Sequence, residues 1–340
     1  MRYPDFIKEN DEIGFVSPSF GCAIEPYKSA FDAALKNFER LGYRTNVGPN
    51  CYKTDGIGIS TSPDKCGDEF TEYYLSDKNN CLISCGGGEL MCESIDYVDF
   101  DKIREGRPKW FMGYSDNTNM TFLLATLCDV ASLYGPCAST FGMSPWHKSL
   151  YDAMDILSGK KKRVANYHKW EKDSLKSPEK PFAPYNVTEE TELKVFPGET
   201  AKMTGRLLGG CLDCLSNLVG TKYDRVKEFA EKYGDDGIIW FLEACDLNVM
   251  SIRRAMWQLD RAGWFKNVKG FIIGRPYNFG QELMGLDQYS AVMGVVSKYN
   301  VPVIMDADVG HLAPMMPLVT GSMADVVCED NHLCIDMRYE

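Results

Sequence analysis

The sequence predicts an α/β protein built on a parallel sheet, and three observations carry that expectation. Strand-like and helix-like segments alternate over the first 150 residues, the pattern that places helices on both faces of a parallel sheet. Apolar strands run into turns rich in Gly, Ser and Asp, as at Gly86 to Gly88 and at Ser115. After a charged interruption strands and helices resume, and the chain closes on two strand-like segments that pair as a hairpin.

In chain order, "EIGFVSPSF" reads as a strand entering a Ser/Pro turn, and "YKSAFDAALKNFERLGY" as an amphipathic helix ending at Gly42. "NCLISCGGGELMCE" is a buried strand, a triple glycine and a helix start. "PKWFMGYSDNT" repeats that plan: a short aromatic strand, a polar turn, then a helix over Asn119 to Thr126. "DVASLYGP" adds another apolar strand. From Lys160 to Glu192 the chain is charged, proline-bearing and weakly periodic, which predicts a linker or long surface loop. Order resumes with "GRLLGGCLDCLSNLVGT", the strand "GIIWFLEA", the helix "SIRRAMWQLDRAGWF", the strand "KGFIIGRPY" and "VPVIMDADVGH". "MPLVTGSMADVVCED" and "NHLCIDM" form a closing β-hairpin. The expected division is an N-terminal α/β domain over 1–160, a linker or substrate loop over 161–195, and a C-terminal domain over 196–340.

Composition narrows the function classes. A chain of 340 residues, 44% hydrophobic and 25% charged, has an ordinary globular balance. It holds no 18-residue apolar run, so no membrane span is expected. A net charge of −11 disfavours a nucleic-acid polymer or an anionic membrane as partner. The N-terminal stretch has no apolar signal-like run, so the thirteen cysteines read as reduced thiols of a cytoplasmic protein. Cys211 and Cys214 make the one C-x-x-C, but no second ligand pair accompanies them. Buried core cysteines are the favoured reading, with neither a metal nor a cofactor expected.

The residues that could carry chemistry end apolar strands. Ser115 and Asp116 stand where helix caps belong; the sharper reading is a strand–turn–helix corner that presents a serine nucleophile beside free helix N–H groups. Such a serine needs a base, usually histidine. His168 lies in the charged loop, His332 in a polar turn and His147 after Pro145-Trp146; His311, after a strand ending in Asp306, Asp308 and Gly310, is best placed. Glu243, preceded by five apolar residues, is the candidate acid, a buried strand-end carboxyl that must be paired. The triple glycine offers a tight turn, or N–H groups aimed at an oxyanion. It is neither G-x-G-x-x-G nor a Walker loop, and "GYSDN" lacks the second glycine of the α/β-hydrolase elbow.

Taken together, "EIGFVSPS", "LISCGGGE", "IDYVDFDKI", "KWFMGYSDNT", "YGP", "GRLLGGCLDCL", "FLEACD", "QLDRAGWFKNVKGFIIGR" and "DADVGHLAP" resemble, in order and spacing, the LD-carboxypeptidase / microcin C immunity family of serine peptidases over nearly the whole chain. That resemblance implies a Ser-Glu-His triad of Ser115, Glu243 and His311, with an oxyanion hole from the N–H of Asp116 and of Gly87. It implies an N-terminal parallel-sheet domain resembling class I glutamine amidotransferases, a C-terminal β-rich α/β domain that brings the acid and base, a site between the domains, and a homodimer. Substrates would be small peptides or aminoacyl-nucleotide conjugates, as in the immunity branch. The alternatives are a murein tetrapeptide carboxypeptidase of peptidoglycan recycling and a non-catalytic binder of such ligands. An α/β-hydrolase esterase is disfavoured by the missing glycine and the β-rich second half. Three departures stand out: Cys211 follows Gly209-Gly210 where the family often has asparagine, "LVTG" stands for the usual L-P-x-G, and the 160–192 segment is long. In the immunity branch that segment covers a nucleotide-like group with aromatics, which makes Tyr167 and Trp170 the substrate-binding candidates here, beside Cys211.

Overall fold

The computed structural model describes residues 1–339. A first sheet carries β1 (Glu12–Val16), β2 (Arg44–Val47), β3 (Cys81–Ser84), β4 (Trp110–Gly113) and β5 (Ser132–Tyr134), all parallel. Every residue of β3, β4 and β5 is buried, which is why these segments read as unbroken apolar runs. The helix Tyr27–Arg40 turns Ala30, Phe31, Ala34 and Phe38 inward, the spacing of one helical face.

The 161–195 segment is more ordered than its sequence predicts. It forms β6 (Arg163–Ala165), a small ribbon of β7 (Lys169–Trp170) and β8 (Glu189–Glu190), and leads into β9 (Lys194–Phe196). The reason is that β6 and β9 pair with residues far away in sequence, Cys334 to Asp336 and Val303 to Met305, so no local periodicity announces them.

The second sheet adds β10 (Ala201–Cys211), β11 (Ile238–Glu243), β12 (Val268–Gly274) and β13 (Val303–Ala307), mutually parallel. After β14 (Leu318–Thr320), the strands β15 (Met323–Glu329) and β16 (His332–Arg338) make the predicted hairpin. Asp330 and Asn331 at its tip both have positive φ, 50° and 61°, as a two-residue hairpin turn requires. The sheet order is β6-β16-β15-β10-β11-β12-β13-β9, so the 161–195 segment leaves from one edge and arrives at the other.

One strand crosses the expected boundary: β14, from the C-terminal half, pairs antiparallel with β5 and completes the first sheet. The two hydrophobic cores are likewise shared. One holds Phe15 and Ile83 with Leu207, Ile239 and Phe241; the other holds Val16 and Leu82 with Leu208, Trp240 and Leu242. The buried faces of both halves are therefore continuous. Ten of the thirteen cysteines are buried, and all thirteen are free thiols. No helix among the described residues is long and apolar enough to cross a membrane.

Candidate active site

The carboxyl ends of β4, β11 and β13 converge. Beyond β4, Tyr114 is extended and Ser115 takes φ 63°, a left-handed conformation that a serine seldom adopts without constraint. A 3-10 turn over Ser115–Asn117 then opens the helix Thr118–Thr126. Asn117, which breaks the hydrolase motif, is what braces the corner. Its Nδ2 donates to the Gly86 carbonyl at 2.9 Å and to the Tyr114 carbonyl at 3.0 Å. A Cβ on Gly113 would sit 2.8 Å from that side chain, so the glycine makes room for the brace.

Asp116 ties down three segments at once. Its Oδ2 accepts from the Met91 N–H at 2.9 Å and from the Ser19 hydroxyl, and its Oδ1 accepts from Asn119 Nδ2 at 3.1 Å. The glycine turn is thereby held against Ser115: a Cβ on Gly87 would lie 3.4 Å from Ser115 Oγ.

Glu243 ends β11 with its side chain wholly buried. Its Oε2 lies 2.9 Å from His311 Nδ1, and its Oε1 accepts from the Tyr134 hydroxyl at 2.7 Å. His311 Nε2 lies 2.8 Å from Ser115 Oγ. Gly310, at φ +110°, brings the imidazole in; a Cβ there would come within 2.6 Å of Glu243 Oε2. Burial alone would raise the Glu243 carboxyl, but the charge and hydrogen bond of His311 hold it below the ordinary range. Burial likewise opposes a charge on His311, yet Glu243 beside it raises the imidazole well above the usual histidine value. The shifts agree with one ion pair in a dry pocket.

A cleft of about 640 Å³ opens over Ser115 and His311, walled by Gly86 to Gly88, Tyr27, Tyr114, Lys176 and Tyr185. Tyr167 and Trp170 are not in this wall. The Tyr167 hydroxyl donates to Asp152 at 2.9 Å, and Trp170 Nε1 donates to the Glu190 carbonyl at 3.2 Å with its indole edge-on to Phe279. Both are buried and anchor the 161–195 segment; Tyr185, from that segment, and Tyr27 are among the aromatics that line the cleft. Cys211 and Ser115 line an adjoining cavity of about 150 Å³. A hydrogen bond with Cys214, then burial, push the Cys211 thiol well above its ordinary value, so it stays protonated.

The other histidines lie elsewhere: His147 caps the helix Lys148–Leu157, His168 accepts from the Thr191 N–H through its carbonyl, and His332 opens β16. The acids of "DADVGH" are structural, with Asp308 paired to the buried Arg275 and Asp306 accepting from Gln288 and Tyr289. Sequence reasoning missed Tyr134, Asn117 and Ser19. Only Tyr134, at the end of a predicted strand in "YGP", carried a positional signal.

Family profiles define the class of molecule to which this fold and site belong. The LD-carboxypeptidase N-terminal domain matches residues 13–135 and the LD-carboxypeptidase C-terminal domain matches residues 204–326. The chain belongs to the LD-carboxypeptidase family. Among individual relatives, a Vibrio cholerae protein named as a carboxypeptidase is 24% identical over 98% of this chain and 96% of its own. A Bacillus subtilis protein named as a murein peptide carboxypeptidase is 23% identical over 94% of this chain and 90% of its own. Among solved structures, an MccF-like protein from Bacillus anthracis superposes with a TM-score of 0.84 at 23% identity, covering 99% of this chain and 100% of that one. The microcin C7 self immunity protein MccF, solved with aspartyl sulfamoyl adenosine, gives 0.81 at 22% identity over 98% of both chains. These structural likenesses are likenesses of fold.

One further structure corrects an expectation. The active-site variant of the microcin C7 self immunity protein MccF, TM-score 0.80 at 22% identity over 98% of both chains, is made by replacing a serine, an asparagine and a lysine. That finding implies a Ser-Asn-Lys-type set and overturns the expected definition of the enzyme by a Ser-Glu-His triad. The physical reason is that a buried acid–imidazole pair is legible from the ends of apolar strands, whereas polar groups on turns carry no such local signal. Here Cys211 follows Gly209-Gly210 where the resemblance leads one to expect asparagine, and Lys176 is the one lysine lining either cavity among the described residues.

Proposed function

We propose that the cleft belongs to a cytoplasmic serine hydrolase that cleaves an amide bond in a small peptide or an aminoacyl-nucleotide conjugate. The observation that carries this reading is Ser115: a left-handed serine at a strand–helix corner, with Oγ 2.8 Å from His311 Nε2. Ser115 Oγ attacks the carbonyl carbon, and its proton passes to His311 Nε2. The developing oxyanion is met by the N–H groups of Gly87 and Asp116, each donor worth about 3 kcal/mol in such sites. His311 then gives the proton to the leaving nitrogen. Water, deprotonated by the same ring, hydrolyses the ester and restores Ser115.

The immunity-like substrate is supported by Tyr185 and Tyr27 in the cleft wall, aromatic faces on which a base could stack. Murein tetrapeptide is the alternative, supported by the Bacillus subtilis relative's name. The relation of the first sheet to class I glutamine amidotransferases and a homodimeric assembly belong to the same reading. Incubating the protein with a murein tetrapeptide and, separately, with an aspartyl adenylate tests it: one of them is cleaved, and Ser115→Ala abolishes that cleavage. Binding of both with turnover of neither would mark the protein as a binder.

A further inference from the structure

The triple glycine beside Ser115 poses a problem of orientation. Gly86, Gly87 and Gly88 line the cleft, and the peptide that joins Gly86 to Gly87 has no side chain on either flank to hold it. Glycine turns readily at both ends of such a peptide, so local sequence does not decide which edge faces the cleft. The unit itself is planar and trans, so whatever fixes the Gly86 carbonyl also fixes the Gly87 N–H on the opposite edge.

Two donors fix that carbonyl: Ser84 Oγ at 2.8 Å and Asn117 Nδ2 at 2.9 Å. The next carbonyl, of Gly87, accepts from the Phe20 N–H at 2.7 Å, so both peptides of the turn are pinned. Ser84 is an unexpected residue for its place. It ends β3 after Cys81, Leu82 and Ile83, in a strand buried throughout. A hydroxyl is costly to bury unless it is bonded, and the Gly86 carbonyl is the partner this one has. Asn117 serves two places, since it also holds the Tyr114 carbonyl behind Ser115. The Ser84 hydroxyl serves the glycine turn. A carbonyl that accepts hydrogen bonds is also polarised, which strengthens the N–H of its own peptide as a donor, by about 10–30% per bond.

We propose that Ser84 is a positioning residue for the oxyanion hole: with Asn117 it locks the Gly86–Gly87 peptide so that the Gly87 N–H stays turned to the oxyanion. The inference rests on the reading of Ser115 as the attacking group and of Gly87 as a donor. Without the hydroxyl the carbonyl keeps one of its two holds, and the N–H spends part of its time turned away. The tetrahedral state then loses stabilisation, while the bound substrate, whose carbonyl carries little charge, loses little. The signature is a fall in kcat at nearly constant KM.

The test compares wild type with Ser84→Ala and the near-isosteric Ser84→Cys, on whichever of murein tetrapeptide and aspartyl adenylate the wild type cleaves. The kcat is expected to fall about tenfold in Ser84→Ala and less in Ser84→Cys, whose thiol is a weaker donor, with KM within about twofold of wild type. The nitrogen and proton resonances of the Gly87 amide, read by NMR, are expected to move in the same order. Should Ser84→Ala fail to fold, Ser84→Cys carries the same comparison. Unaltered kcat, or a raised KM alone, overturns the proposal and leaves the hydrolase. A moved Gly87 resonance in a protein whose wild type cleaves neither substrate removes the hydrolase and leaves only the clamp.

Discussion

Ser115 is held in an unfavourable backbone conformation by groups that do no chemistry. Asn117 binds the Gly86 carbonyl, and Asp116 binds the Met91 N–H. Removing such a brace should loosen the site before it unfolds the protein, so Asn117→Ala is expected to lower kcat at least tenfold. Turnover by stopped assay beside a thermal melt checks this; a loss of stability with unaltered kcat in the folded fraction would contradict it. In the proposed mechanism His311 sets the pH dependence. The ring must be neutral to take the Ser115 proton, and its pKa is raised well above the histidine norm. The kcat/KM is therefore expected to fall, as pH drops, at a value above the ordinary 6.5 or so. The linkage has the matching sign: because its folded value is raised, the His311 contribution to stability is present below about 6.5 and disappears as pH rises through the folded value, while that of Glu243, whose folded value is lowered, is lost as pH falls through it. Glu243→Gln should move the acid limb of the rate profile downward, because burial then acts on the ring without its carboxylate. An unmoved limb would show that Glu243 does not act on His311. Ser115, Glu243 and His311 could be singled out because each stands at or just beyond the end of an apolar strand. Tyr134, Asn117 and Ser19 were not, because their roles are hydrogen bonds to partners remote in sequence.

The 161–195 segment shows how an element can be misread and still matter. Its charge and prolines predict a linker or long surface loop, and the family resemblance puts Tyr167 and Trp170 over the substrate, yet both are buried and its strands pair with distant partners. Burial is a tertiary property that composition cannot supply for an amphipathic aromatic. Two substitutions separate the roles. Trp170→Ala is expected to cost about 3–5 kcal/mol of stability, as for other buried large-to-small changes, read as a lowered Tm. Tyr185→Ala is expected to cost about 1–3 kcal/mol of transition-state binding if a base stacks on it, a roughly fivefold to hundredfold loss in kcat/KM confined to nucleotide conjugates. Equal losses on a plain peptide would make Tyr185 a structural wall.

At the scale of the whole molecule, the alternation of strands and helices gave the first sheet in outline. It could not show that β14 returns from the C-terminal half to close that sheet's edge. Nor could it show that both cores draw side chains from both halves. Sequence distance hides such pairings, because nothing local to Leu318–Thr320 names Ser132–Tyr134 as its partner. Residues 1–160 expressed alone are accordingly expected to lack a cooperative melt, and a sharp calorimetric transition from that fragment would contradict the shared-core description. The same architecture explains the site: Ser115 comes from the first sheet and Glu243 and His311 from the second, so the reactive contact exists only in the assembled fold. The central claim, that Ser115 is the group acylated during turnover, is tested most directly by rapid acid quench of wild-type enzyme with a cleavable substrate, followed by peptide mass spectrometry. The expected result is an acyl adduct on the peptide holding Ser115, absent from Ser115→Ala protein, which should also be inactive; an adduct elsewhere, or Ser115→Ala turnover within tenfold of wild type, would contradict it.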